Sequence, residues 1–133
     1  MEREYEASRY VYDSAKEKEN LSREITEVNK EFSGWGFNWK LLQKKCPKQQ
    51  RSRRACFAVI KSITATPGLA ERIIKKRQLP ITELSVNRGF SQKMLEKYRH
   101  YLVAVIILLQ GDYPYIRTFM PQFMDNDFIA GGN

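Results

Sequence analysis

The run YLVAVIILL, Tyr101 to Leu109, is the feature that most restricts this chain. Nine apolar residues make about 14 Å of helix, far short of the roughly 30 Å of a bilayer core. A helix with no polar face belongs in a protein interior, so this segment is read as a buried core helix around which the rest must pack. At 133 residues, with 42% hydrophobic and 29% charged, the chain is one domain's worth of foldable sequence.

The remaining periodicity is helical. Leu21, Ile25, Val28 and Phe32 fall at i, i+4, i+7 and i+11, one face of a helix. Tyr5, Val11, Tyr12 and Ala15 either continue that helix or form a separate one. Gly34 and Gly36 stop it. Asn38 is placed to cap a short helix over Trp39–Lys45, which Cys46-Pro47 ends. A further helix is expected from about Gln49 to Ile63, burying Cys56, Val59, Ile60 and Ile63. Thr66 then reads as N-cap with Pro67 at the first helical position, and Leu69, Ile73 and Ile74 face inward. Pro80 repeats that start. Ser91 caps a long helix running to Gln110, Gly111 stops it, and Pro114 opens a last short helix through Phe119, with Tyr113 and Tyr115 stapling it to the long one. No alternating pattern competes, so the fold class is all-α: a compact multi-helix domain. Its divisions are an acidic N-terminal helical segment over 1–33, a helical domain over 34–120, and a flexible tail over 121–133.

Charge is segregated along the chain. Residues 1–31 carry −3, residues 40–100 carry +13, with 16 Lys/Arg against Glu71, Glu83 and Glu96, and residues 101–133 carry −2. A basic block between acidic ends points to a polyanionic partner, although a solvated basic surface has the same composition. Within that block, SVNRGFSQKMLEKYRH fits a helix-turn-helix at about 80–110. Leu84 pins the first helix, Ser85 is the small contact residue, Gly89 makes the turn and Phe90 anchors its exit. Leu95 and Tyr98 pin the second helix. Arg88 is polar for its place beside the glycine and is counted among the cations that could contact phosphate.

With Leu95 and Tyr98 inward, Gln92, Lys93, Glu96, Lys97 and His100 face outward, with Arg99 on the flank. Gln suits adenine, Lys and His can donate to guanine or phosphate, and Ser91 with the first-turn N–H groups suits a phosphate. Lys44, Lys45, Lys48, Arg51, Arg53 and Arg54 form one basic cluster, and Arg72, Lys75, Lys76 and Arg77 another. Both can grip phosphates beside the reading helix. Lysines near helix C-termini are also explained by the helix dipole, and a polar helical hairpin can face water alone. Trp35, Phe37 and Trp39 could stack bases, but plugging the core between helices is the stronger expectation.

Catalysis has no constellation to support it. His100 is the only histidine, and it lacks a nucleophile–base–orienter set. Cys46 and Cys56 match no metal spacing, the first ten residues carry no apolar leader, and there is no Gly-rich phosphate loop. The expectation is a reduced, cytoplasmic protein that is not an enzyme, with no cofactor, no structural metal and no small-molecule substrate.

LPITELSVNRGFSQKMLEKYRHYLVAVIILLQGDYPYI closely resembles the C-terminal DNA-binding region of sigma-I type RNA polymerase sigma factors. The resemblance rests on Leu79-Pro80-Ile81, Gly89-Phe90-Ser91, Leu95 with Tyr98-Arg99 and Tyr101, and above all GDYPYI from Gly111 to Ile116. GWGFNWKLLQKKCPKQQRSRR is similar to the family's upstream block, with Cys46 and Gln49 departing from it. Coverage runs from about Leu21 to Phe119. The resemblance implies a bacterial transcription initiation factor whose C-terminal domain reads the −35 promoter element. It also implies binding to the RNA polymerase core and sequestration by a membrane-spanning anti-sigma factor through that protein's cytosolic N-terminal segment, which places the chain near nucleoid or membrane by state. By position the reading residues are Ser91, Gln92, Lys93, Lys97 and His100, with Arg99 on phosphate. Nothing upstream of Leu21 resembles the domain that reads the −10 element, so a C-terminal domain standing without it is expected. The alternatives are a helix-turn-helix repressor, which needs a dimer, and a module that mainly docks an anti-sigma or polymerase partner.

Overall fold

The computed structural model describes residues 2–118, with the side chains described from residue 15 onward. The expected tail over 121–133 lies outside the described residues, as do the side chains of Tyr5, Val11 and Tyr12.

Seven α-helices and one π-helical turn make up the described chain: α1 (Glu2–Gly34), α2 (Trp39–Lys45), α3 (Gln50–Ala65), α4 (Leu69–Lys76), the π turn Glu83–Asn87, α5 (Gln92–Lys97), α6 (Arg99–Gln110) and α7 (Pro114–Thr118). The apolar run forms α6, and Tyr101 through Leu108 are all buried. The helix is enclosed because α1, α2, α3, α4 and α5 all touch it. Each fully buried Leu or Ile there contributes about 1.5–3 kcal/mol of transfer free energy, so α6 is the main apolar axis of the domain.

α1 is one continuous helix, and its inward face differs from the expected one. Val28 and Phe32 are fully buried and Leu21 is half-buried, but Ile25 is 39% exposed. Asn20 and Glu24 take the buried positions instead. A buried carboxylate needs donors, and Glu24 finds them at the start of α7: both of its oxygens accept from Tyr115 N–H, at 3.0 and 3.3 Å, and Oε1 also accepts from Ile116 N–H at 3.0 Å. α7 therefore docks on α1, where the tyrosines around Pro114 suggested α6. Arg117 adds a tie back to α6, donating to the carbonyls of Leu108, Leu109 and Gly111.

The aromatic loop plugs the core, as its composition favoured. Phe37 stacks on Phe32 at 4.7 Å between ring centroids, and Trp39 meets Phe32 edge-on at 4.9 Å. Trp39 Nε1 donates to the Ile25 carbonyl. Asn38 caps α2, its side chain accepting from Leu41 N–H at 2.8 Å, and Cys46 ends that helix in an extended conformation.

Two boundaries differ from expectation. Thr66 closes α3 rather than opening α4, its hydroxyl donating to the Ser62 carbonyl at 2.9 Å. Gly68 at φ 77° then leads into α4, because the turn after Pro67 needs a left-handed residue. The long helix from Ser91 to Gln110 is broken at Tyr98, whose φ −105° and ψ 21° interrupt the hydrogen-bond ladder between α5 and α6.

Candidate nucleic-acid interface

The turn is built on a π-helical widening. Leu84 N–H donates to the Pro80 carbonyl, Gly89 N–H to that of Ser85, and Phe90 N–H reaches back six residues to the Leu84 carbonyl at 3.1 Å. Gly89 sits at φ 77°, a conformation that costs an L-residue about 1–2 kcal/mol. Leu84 and Leu95 are fully buried, Tyr98 is buried and Phe90 packs half-buried on the same core. Ser85 is half-buried, and its hydroxyl donates to the Thr82 carbonyl at 3.2 Å. These contacts hold the π turn and α5 against α6 with Gly89 as the corner.

Ser91 caps α5, accepting from Met94 N–H at 3.2 Å. Gln92, Lys93, Glu96 and Lys97 are exposed. At about 100° per residue Lys93 and Lys97 lie opposite Leu95, with Glu96 about 100° and Gln92 about 60° from it on one flank. Gln92 Nε2 donates to Glu96 Oε1 at 3.3 Å, and Lys97 Nζ stands 5.4 Å from the Tyr98 ring centroid. Donors and acceptors are thus presented in a row that a major-groove edge could exchange for its own.

Three expected contact residues sit elsewhere. The break at Tyr98 puts His100 and Arg99 on α6, not on the exposed helix. His100 is half-buried, its ring stacked on Phe37 at 4.8 Å and 19°. Burial first, then the charges of Arg99 and Lys45, push its pKa below the ordinary 6.5, so the ring is neutral at pH 7. This corrects its placement among the base readers. Arg88 is also turned inward: Nη1 donates to the Ser62 carbonyl at 3.2 Å, to Ser62 Oγ at 2.8 Å and to Thr66 Oγ1 at 2.8 Å. It fastens the turn to the C-terminal end of α3, which corrects its assignment to phosphate.

The other cations remain on the surface. Lys44, Lys45, Lys48, Arg51, Arg53 and Arg54 are exposed where α2 passes into α3, and Arg53 Nε donates to the Pro47 carbonyl at 3.1 Å. Lys75, Lys76 and Arg77 are exposed at the end of α4, with Arg77 left-handed at φ 52°. Lys45 and Arg99 both bear on His100, so the end of α2 and the start of α6 meet there. Burial pushes the Cys56 thiol up to about 12 and raises Cys46 as well, which leaves both as thiols. Among the described residues no group of three or more His, Cys, Asp or Glu could hold a metal ion, and no helix is long and apolar enough to cross a membrane.

An all-helical domain that exposes a capped, cation-bearing helix after a glycine corner, beside further clusters of cations, has the make-up of a helix-turn-helix nucleic-acid-binding domain. Comparison with known proteins narrows the class: the chain is similar to one region of sigma-I type RNA polymerase sigma factors. It is 29% identical over 97 residues to RNA polymerase sigma factor SigI7 of Acetivibrio thermocellus, covering 73% of this chain and 41% of that protein. It is 29% identical over 104 residues to SigI of Bacillus subtilis, covering 78% and 41%, and 26% identical over 113 residues to SigI of Bacillus anthracis, covering 85% and 43%. The chain therefore spans about two fifths of the length of these relatives. They are named as sigma factors rather than as enzymes. No family model matches the chain, and no solved structure does.

Sequence reasoning missed the roles of Glu24, Arg88 and His100. Glu24 stood at a helical position adjacent to an apolar one, so only its burial gives it away. Arg88 did carry a signal, being too polar for its place beside the corner glycine.

Proposed function

We propose that this chain is a promoter-DNA-binding domain of a sigma-I type sigma factor and that α5 reads the −35 element. The observation that carries the reading is the exposed face of α5: Gln92, Lys93 and Lys97 on one side of a helix capped by Ser91, immediately after a left-handed glycine. Gln92 offers a bidentate pair to adenine, and the two lysines offer donors to guanine or phosphate. Lys44, Lys45, Lys48, Arg51, Arg53, Arg54 and Lys75 supply phosphate contacts that set register without reading sequence.

The sigma-factor relatives support binding to the RNA polymerase core as well as to promoter DNA. Sequestration by a membrane-spanning anti-sigma factor, and with it a cytoplasmic location, belongs to the same reading. The test is an NMR titration of the full chain with a −35 half-site duplex and with a scrambled duplex of equal length. Specific reading perturbs the amides of Ser91 to Lys97 more strongly with the half-site. Equal perturbation by both duplexes rejects it.

A further inference from the structure

Beside the helix-turn-helix, and lined by no residue of α5, lies an open groove of about 870 Å³. Its walls are the last turn of α4, the segment from Gln78 to Glu83, the end of the π turn at Val86 and Asn87, and the start of α6; Trp35 closes one edge. None of Ser91, Gln92, Lys93 and Lys97 lines it, so its chemistry stands apart from the promoter reading.

The groove combines two properties. Arg72, Lys76, Arg77 and Arg99 surround it against a single carboxylate, Glu83, which already bridges Arg72 at 2.9 Å. Arg77 has a left-handed backbone at φ 52°, and its guanidinium lies against Gly34, where an added Cβ would meet it at 2.9 Å. Between these cations the accessible apolar lining is Pro80, Ile81 and Val86, interleaved with polar Gln78, Thr82 and Asn87. Val86 is 74% exposed, the most exposed large apolar residue among those described. Trp35 Nε1 adds a buried donor without a hydrogen-bond partner among the described residues. Such a donor costs stability until an acceptor reaches it.

We infer that this groove docks an acidic segment of a protein partner, with carboxylates facing Lys76, Arg77 and Arg99 and an apolar anchor on Val86 and Ile81. A DNA backbone would meet the same cations but makes no use of the apolar Pro80, Ile81 and Val86, whereas a peptide can use both. The volume also falls within the roughly 300–1,000 Å³ typical of ligand pockets.

The experiment is a titration of the ¹⁵N-labelled full chain with a synthetic twelve-residue peptide of Glu and Leu. Parallel arms use the same peptide with Gln for Glu and a random-sequence DNA duplex. The expected result is that the acidic peptide shifts the Trp35 indole signal and the amides from Lys76 to Asn87. The Gln peptide should bind roughly tenfold more weakly. Val86→Asp and Lys76→Glu change exposed side chains, so the fold is retained, and each should weaken the acidic peptide by a similar factor. Equal binding of the Gln peptide, or no effect of either variant, overturns the inference. So does a duplex that shifts the groove signals when the peptide does not. Concentration-dependent shifts of those signals without any peptide would also overturn it, by making a second copy of the chain the occupant.

Discussion

Arg88 sits one residue before the corner glycine, and in the sequence it reads as one more cation of a basic block. Its three hydrogen bonds to Ser62 and Thr66 give it a different task. Arg88→Met should lower stability by about 1–3 kcal/mol, the cost of leaving partly buried acceptors unpaired. DNA affinity measured well below the melting temperature should change little, and an equal loss of affinity at unchanged stability would return Arg88 to the phosphate set. Gly89 was legible from sequence because only the backbone is at stake. At φ 77°, with nothing within 4 Å of an added Cβ, Gly89→Ala should cost about 1 kcal/mol of conformational strain and no clash, seen as a small fall in melting temperature. His100 was not legible, because its environment is made by Phe37, 63 residues earlier. Its lowered pKa means that the unfolded chain binds the proton more readily than the folded one. Stability is therefore complete above the ordinary pKa of 6.5 and declines as pH falls through it toward the folded value. Denaturant titrations at pH 7.5 and 5.5 should show this decline, and His100→Phe, which keeps a ring on Phe37, should flatten it.

Among the elements, α6 and α7 differ in legibility. α6 was evident because an unbroken apolar run admits one environment, and the structure places it at the centre. α7 was half legible: Arg117 ties it to α6 as expected, but its main anchor is a carboxylate about ninety residues upstream. Five residues of helix cannot hold themselves in water, so α7 depends on Glu24 and on packing of Ile116. Glu24 is 5% exposed and takes the place of an N-cap side chain. Glu24→Leu should cost about 1–2 kcal/mol and release α7, seen as faster hydrogen exchange at Tyr115 and Ile116. Glu24→Gln retains an acceptor and should show a smaller effect. Unchanged exchange in the Leu variant would mean that apolar packing alone holds α7. The break at Tyr98 escaped the sequence because Leu95 and Tyr98 fit a continuous helix as well as an interrupted one. That break is what separates the exposed α5 from the buried α6.

For the molecule as a whole, the +13 block was plain from the sequence, but how it divides in space was not. The fold separates its cations in space: Arg88 turns inward onto the end of α3, Arg72, Lys76, Arg77 and Arg99 line the groove, and the α2–α3 cluster with Lys93 and Lys97 lies on the surface outside it. Only cations that neutralise phosphates release counterions on binding DNA, and the logarithm of affinity falls by about 0.9 per phosphate for each tenfold rise in salt. If about five phosphates are gripped, the slope should be near −4 to −5. Paired neutralising substitutions distinguish the tasks. Lys48→Gln with Arg51→Gln should make the slope shallower by roughly two, each lost phosphate contact counting about once. Lys76→Gln with Arg72→Gln, both in the groove, should leave it nearly unchanged. A slope that responds equally to both pairs would mean that duplex DNA spans the groove too and that the basic block acts as one undivided field.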